Sequence, residues 1–123
     1  MCTYAEVHYK VHYVCLPCRR SHKQPWHADE HRCPGCRRPM LFAGHDFAAP
    51  RRGDERRWRA VAAVLEAGLR YEGFEPCGCG RQPKFRPRTS AQVRARRRAA
   101  ARFGLTTAEA LALRDPSDAR LGG

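Results

Sequence analysis

The first segment of the chain alternates between apolar and polar side chains with few interruptions. Val7, Val11 and Tyr13 occupy odd positions, whereas Glu6 falls on an even position. A period of two residues predicts a half-buried strand over residues 3–14, because successive side chains of a strand point to opposite faces. We expect the odd positions to face the core.

A longer period appears beyond residue 50 and predicts an amphipathic helix over residues 54–71. Apolar side chains recur there at helical spacing and share one face: Trp58, Val61, Ala62, Leu65 and Leu69. Asp54 suits the N-cap, and Gly73 is expected to end the helix. We expect this face to pack on the preceding residues, with Trp58 as an anchor in the core.

Between these two segments the patterns are shorter. Residues 39–43 read Pro-Met-Leu-Phe-Ala and predict a short return strand. Residues 19–32 show no clear period, and we expect them to be irregular. The resulting unit of antiparallel strands should end near Pro50.

The last third of the chain predicts two helices. An arginine-rich helix is expected from Thr89 or Ser90 to Phe103. Thr106-x-x-Glu109 has the spacing of a capping box, which predicts a final short helix ending near residue 114. The tail after residue 116 is expected to be disordered.

Four cysteines lie in two C-x-x-C pairs that are fourteen residues apart. Each pair can form a tight turn that projects both sulfurs to one side, and two such turns supply the four ligands of a tetrahedral Zn²⁺ ion. We therefore expect one structural zinc ion, held by Cys15, Cys18, Cys33 and Cys36. The sequence favours zinc. It does not exclude iron, because iron can take the same four ligands.

Other possible ligands carry weaker signals. His22, His27 and His31 lie between the two pairs, and any of them can replace a cysteine. Residues 27–31 also match the H-x-x-E-H pattern of a zinc protease, but they lie in a short connector, and we interpret the match as coincidence. The roles of Cys2, Cys77 and Cys79 stay open: free thiols are favoured for Cys77 and Cys79, with a second metal site or a redox dithiol as the alternatives.

The composition points to a polyanionic partner. The chain has 123 residues and a formal net charge of +12, and 24 lysines and arginines face 12 acidic residues. No signal peptide or long apolar run is apparent, so a cytoplasmic location with reduced thiols is expected. We find no arrangement of side chains that predicts catalysis, and the protein is expected not to be an enzyme.

The positive charge is concentrated in residues 76–108, which contain nine basic residues and no acidic residue. A run of like charges without partners is typical of nucleic-acid binding. Residues 81–88 form a proline-punctuated arm, in which Phe85 can stack on a base. The residues expected to bind nucleic acid are Arg81, Lys84, Phe85, Arg86, Arg88, Arg94, Arg96, Arg97, Arg98 and Arg102.

Two resemblances accompany these patterns. The paired cysteine turns with the return strand, over residues 11–47, resemble a zinc ribbon, a fold shared by many ribosomal and transcription proteins. Residues 14–19, residues 58–60 (Trp-Arg-Ala) and residues 85–89 (Phe-Arg-Pro-Arg-Thr) resemble small uncharacterised zinc-ribbon proteins of G+C-rich bacteria. The resemblance implies the architecture and the four cysteine ligands, and it leaves the biochemical function open.

The sequence thus predicts a small, metal-stabilised α+β protein. A zinc ribbon (residues 1–50) is followed by a packing helix (51–75), a basic arm with an arginine-rich helix (76–108), and a short helix with a disordered tail (109–123). We expect it to bind structured RNA, with the ribosome as host and a ribosomal or transcription protein as a second partner. A DNA-binding or transcription-associated protein and a thiol-based zinc redox sensor are the alternatives.

Overall fold

The computed structural model describes residues 10–25, 31–74 and 82–119. These residues form a small α+β structure in which a three-stranded antiparallel sheet is followed by helices. The elements in chain order are β1 (Lys10–Cys15), β2 (Arg20–Pro25), β3 (Leu41–Gly44), α1 (Glu55–Glu66), α2 (Ser90–Phe103), α3 (Thr107–Leu111) and a 3-10 turn (Pro116–Asp118). No helix in the described segments is long and apolar enough to cross a membrane.

Strand β1 is the middle strand of the sheet and is buried on both faces. Val11 and Tyr13 pack with Cys33 and Met40, which confirms the predicted core face for these two odd positions. On the opposite face, Val14 is fully buried and belongs to a second cluster with residues of α1, so the prediction of a half-buried strand was wrong at this position, which α1 covers. The part of the predicted strand over residues 3–9 lies outside the described residues.

The prediction that residues 19–32 are irregular was wrong for Arg20–Pro25, which form β2. This strand pairs with β1 over its whole length, from Lys10 opposite Pro25 to Cys15 opposite Arg20. The first cysteine pair closes the hairpin turn, so the chain must return antiparallel to β1. Because β2 lies at the edge of the sheet and none of its residues is buried, its side chains carry no apolar period.

Strand β3 confirms the predicted return strand, shifted by one to two residues. It pairs with the other edge of β1, with Tyr13 opposite Phe42. After β3 the chain crosses to α1, and Phe47 places its ring 5.3 Å from that of Tyr71 in the cluster that joins sheet and helix.

Helix α1 begins as predicted but ends earlier. The Asp54 side chain accepts a hydrogen bond from the backbone N–H of Arg57, and Trp58 is buried as the expected core anchor. The helix was predicted to continue to residue 71, but it ends at Glu66, because Gly68 adopts a left-handed φ of 90°. Leu69 packs on the core although it follows the end of the helix.

The two predicted helix starts in the last third are confirmed. Thr89 and Gln92 form a capping box at the start of α2, and Thr106 and Glu109 form another at the start of α3. Two predictions at the end of the chain were wrong. Helix α3 ends at residue 111, and residues 116–118 form a 3-10 turn after which Ala119 is buried rather than disordered.

The basic arm packs against the rest of the protein instead of extending from it. Pro87 is fully buried, and its carbonyl accepts a hydrogen bond from the Tyr71 hydroxyl at 3.3 Å. The Arg86 Nε donates to the Arg70 carbonyl at 2.7 Å. A third apolar cluster joins α1 to α2 and α3 through Ala60, Ala63, Val93 and Leu111. The arm and α2 therefore share a core with α1.

Candidate metal centre and basic surface

The sheet and a second turn bring the four predicted cysteines together. Cys15 ends β1, and Cys18 lies in the turn that leads into β2. Cys33 and Cys36 lie in a separate turn, whose ends are joined by a bridge between Arg32 and Pro39. All four Sγ atoms lie within 4.8 Å of one another, and no other group of three or more potential metal ligands occurs in the described part of the chain.

The sulfur spacing fits a metal ion better than a disulfide. The Sγ atoms of Cys15 and Cys36 are 3.5 Å apart, and those of Cys18 and Cys33 are 3.9 Å apart. A Zn–S bond of about 2.3 Å puts the sulfurs of a regular tetrahedron about 3.8 Å apart, whereas bonded sulfurs lie about 2.05 Å apart. The four cysteines are free thiols that can coordinate one metal ion.

Burial and hydrogen bonding make the four thiols unequal. Backbone N–H groups of Cys36 and Gly35 lower the pKa of Cys33 to about 6, and the Gly35 nitrogen lies 3.3 Å from its sulfur. Burial raises the pKa of Cys15 to about 12. Cys33 is therefore the first of these two sulfurs to ionise, and a metal must displace the proton of Cys15.

Each cysteine pair is followed by an arginine in the left-handed region. Arg19 has a φ of 54° and Arg37 a φ of 62°. The Arg37 N–H donates to the Cys33 carbonyl at 2.7 Å, which closes the second turn back on its first ligand. This conformation costs about 1–2 kcal/mol for a residue with a Cβ atom, so the turns hold both arginines against their backbone preference.

The histidines near the sheet lie outside the ligand cluster. His31 is buried, and its ring lies 3.9 Å from the ring of Tyr13. His22 is half-buried on β2, opposite Tyr13 in the strand register. Neither histidine belongs to the group of four cysteines that can hold a metal ion. His27, Cys2, Cys77 and Cys79 lie outside the described residues.

The residues predicted to bind nucleic acid differ in their exposure to solvent. Arg94, Arg97, Arg98 and Arg102 are exposed along α2, and Lys84 and Arg88 are exposed on the arm. Phe85 and Arg86 are half-buried. Phe85 is less accessible to a base than expected, because the guanidinium carbons of Arg96 and Arg114 lie 4.3 Å and 5.9 Å from its ring centre. Arg81 lies outside the described residues.

Arg96 is not available for the contact predicted for it, because its side chain is 4% exposed. Its Nε donates to the Leu113 carbonyl at 2.7 Å, its Nη2 to the Arg114 carbonyl at 2.8 Å, and its Nη1 to the Gln92 carbonyl at 3.0 Å. Burial lowers the pKa of this guanidinium. Arg96 therefore holds the chain after α3 against α2.

Helix α1 carries a second source of positive charge that was not predicted from the sequence. Arg56, Arg57 and Arg59 on α1 line a cleft of about 610 Å³ together with Arg94 on α2. The signal was present in the run Arg-Arg-Gly-Asp-Glu-Arg-Arg-Trp-Arg at residues 51–59. The acidic pair within this run lowers its net charge, so the run does not stand out as a basic block.

Comparisons of this chain with known protein families, with curated proteins and with solved structures find no match.

Proposed function

We propose that this protein is a non-enzymatic zinc-ribbon protein whose single Zn²⁺ ion is structural. The four-cysteine cluster supports this, since four thiolates complete a tetrahedral shell and leave no position for a substrate or an activated water. The metal would join the β1–β2 hairpin to the second cysteine turn, in addition to the small apolar cluster that they share. Zinc is the expected ion: four thiolates at tetrahedral spacing suit it, and elemental analysis distinguishes it from iron, which can take the same ligands.

We further propose that the protein binds structured RNA, with the ribosome as the expected host. The observation that carries this proposal is the row of exposed arginines on α2. Arg94, Arg98 and Arg102 follow one another at four-residue spacing, and within the described segments none of them has a carboxylate at ion-pair distance. Like charges at this spacing destabilise a helix, and a bound polyanion removes that cost.

The structure favours contacts to phosphates over contacts to bases. Gln92 is the only amide side chain in α2. Its Oε1 accepts hydrogen bonds from the backbone N–H groups of Arg88 and Thr89, at 2.7 Å and 3.2 Å. Reading bases in a groove usually requires amides or bidentate arginines at defined positions. With this amide committed to the helix cap, α2 offers mainly charge.

The test is a salt series of binding to a fluorescently labelled RNA hairpin. Changing Arg94, Arg98 and Arg102 together to Gln should lower the slope of log K against log salt by up to ~3, at about 0.9 per phosphate contact. The matched control changes three exposed cations of the sheet and second turn, Arg20, Lys23 and Arg38, to Gln. This variant loses the same charge and should keep most of the affinity.

Equal losses in both triple variants would show that net charge, rather than α2, determines binding. A DNA duplex of the same length is measured in parallel. Tighter binding to that duplex than to the hairpin at each salt concentration would replace RNA with DNA as the ligand. Absence of binding to both the RNA hairpin and the DNA duplex would contradict the proposal.

A further inference from the structure

The cleft between α1 and α2 follows from the size of the side chains where the two helices meet. Ala60 and Val93 form the buried contact, and the next residues towards the surface are Ser90 and Ala91. Small side chains at a helix crossing leave an open space above the contact, whereas the flanking arginines are long. The Ser90 hydroxyl donates to the Arg56 carbonyl at 2.9 Å and ties the two walls together.

The walls of this cleft carry much more positive than negative charge. Four arginines line the 610 Å³ cleft: Arg56, Arg57, Arg59 and Arg94. A smaller cleft of about 150 Å³ adjoins it, shares Arg59 and Arg94, and adds Arg97. Asp54 is the single carboxylate among the lining residues.

Both nearby carboxylates already have partners. The Asp54 side chain caps α1 and lies 3.4 Å from the Arg57 Nε. Glu55 lies 3.6 Å from both Arg19 and Arg59, in pairs whose side chains are largely exposed. Exposed pairs of this kind contribute little and exchange readily for another anion. Arg56, Arg94 and Arg97 have no carboxylate at ion-pair distance within the described residues.

We propose that the cleft between α1 and α2 binds the phosphodiester backbone of the RNA, and that α1 forms one wall of the interface. The arginine cleft is formed by Arg56, Arg57, Arg59, Arg94 and Arg97. The inference rests on the proposed RNA binding and extends it to residues outside the basic arm. Guanidinium groups on two facing helices can contact phosphate oxygens from both sides, with paired N–H donors. The shared apolar cluster and the Ser90 hydrogen bond hold the two walls at a fixed distance, so the cleft is formed before the ligand binds.

A single added charge tests the cleft without removing any contact in the fold. Ala91 lines the cleft, is exposed and lies in the first turn of α2, where an acidic side chain is favourable for a helix. Ala91→Glu should therefore fold normally but weaken binding to the RNA hairpin by about tenfold or more, because like charges then face each other at the interface. Ala91→Gln adds the same bulk without the charge, so the ratio of the two affinities measures the charge effect alone.

A second variant removes charge from the α1 wall. Arg56→Gln with Arg59→Gln should lower the salt slope by up to ~2, at about 0.9 per contact. The matched control is Lys23→Gln with Arg38→Gln, two exposed cations outside both clefts, which should leave the slope within about 0.5 of the unmodified protein if neither contacts a phosphate.

The outcomes separate this inference from the proposed function. If the α2 triple variant binds weakly while Ala91→Glu and Ala91→Gln bind equally well, the result supports RNA binding but contradicts the proposed role of the cleft. If the protein binds the DNA duplex instead of the hairpin and Ala91→Glu weakens that binding, the result supports the cleft as the binding site but identifies DNA rather than RNA as the ligand. If neither nucleic acid is bound, both proposals fall.

Discussion

The Cys33 sulfur has the most hydrogen-bond support of the four ligands. It accepts from the Gly35 N–H, lies 3.9 Å from the Cys18 sulfur and is 1% exposed. A hydroxyl at this position keeps the size of the side chain but is a poor ligand for zinc, which prefers thiolate. The residue therefore separates metal binding from packing.

Cys33→Ser is expected to abolish stoichiometric zinc in the purified protein and to lower its thermal midpoint, because metal binding contributes directly to the stability of a small domain. Elemental analysis should give about one zinc per unmodified chain. Cys77→Ser with Cys79→Ser is the control, and we expect its zinc content to be unchanged. A Cys33→Ser protein that keeps its zinc would exclude the four-cysteine site. Loss of half the metal in the control would reveal a second site.

The unequal thiols predict how zinc affinity changes with pH. Burial raises the pKa of Cys15 to about 12, and hydrogen bonding with Cys36 raises that of Cys18. Both sulfurs hold protons at neutral pH in the metal-free protein, so zinc must displace them. The apparent affinity should therefore rise with pH near neutrality, by about one decade per pH unit for each proton that zinc displaces.

Below the Cys33 pKa of about 6, that sulfur is also protonated, and the dependence should become steeper. Competition with a chromophoric chelator over a pH series measures the slope, after correction for the chelator's own protonation. An affinity that is independent of pH would show that the thiols are already ionised.

At the scale of elements, Arg96 connects α2 to the chain that follows α3. Three carbonyl groups accept its hydrogen bonds, and two of them belong to Leu113 and Arg114. Arg96→Met keeps the length of the side chain but removes the guanidinium donors from these partly buried carbonyls. It should lower the free energy of unfolding by about 3 kcal/mol, at 1–3 kcal/mol for each unsatisfied group with partial relaxation.

The matched control is Arg97→Met, one residue along α2 and exposed, which should change stability by less than about 0.5 kcal/mol. Urea denaturation of both variants measures the difference. Equal stabilities would mean that the hydrogen bonds of Arg96 exchange for water at no cost, and that its burial is incidental.

The elements differ in how far the sequence could predict them. The starts of α1, α2 and α3 were predictable because a cap is local, with Asp54, Thr89 and Thr106 each bonding to a residue three positions later. The end of α1 at Glu66 depends on the nearby Gly68, which is equally local, and it was not predicted because the apolar period continues to Leu69. In contrast, β2 has no period of its own, and its pairing with β1 defines it as a strand.

The metal ligands and the basic surface also differ in how far the sequence could predict them. The two C-x-x-C pairs predicted the cysteine cluster because ligand spacing is written in the chain. The burial of Arg96 and the position of the α1 arginines depend on which segments, distant in the sequence, come into contact. Periodicity places Arg96 on a helix but does not show that residues 113 and 114 will cover it. The arm was predicted to extend for a similar reason, since its contacts to Arg70 and Tyr71 join residues sixteen positions apart.

On the scale of the whole molecule, adjacent residues of β1 connect the metal centre to the helical core. Cys15 faces the other three ligands, whereas Val14 is fully buried against the cluster that contains Trp58 and Val64. Movement of β1 therefore affects both the metal centre and the core around α1. With 123 residues, the chain has little other core to compensate.

Removal of zinc with a chelator is thus expected to lower the thermal midpoint of the helices as well as that of the sheet. Far-UV circular dichroism follows the helices, and the fluorescence of the buried Trp58 follows the core. The two signals should change in one transition, and adding zinc back should restore both. A helical signal with the same midpoint before and after chelation would show that the two parts fold independently.

Arg19 and Arg37 have a consequence for the net charge of the loaded centre. A divalent ion with four thiolates carries a charge of about −2, and each arginine places a cation one residue from a ligand. Glycine would relieve the left-handed backbone at either position but remove that cation. We therefore expect Arg37→Gly to bind zinc less tightly than Arg37→Lys, although its backbone is easier to fold. In this turn, compensation of charge would then outweigh conformational ease.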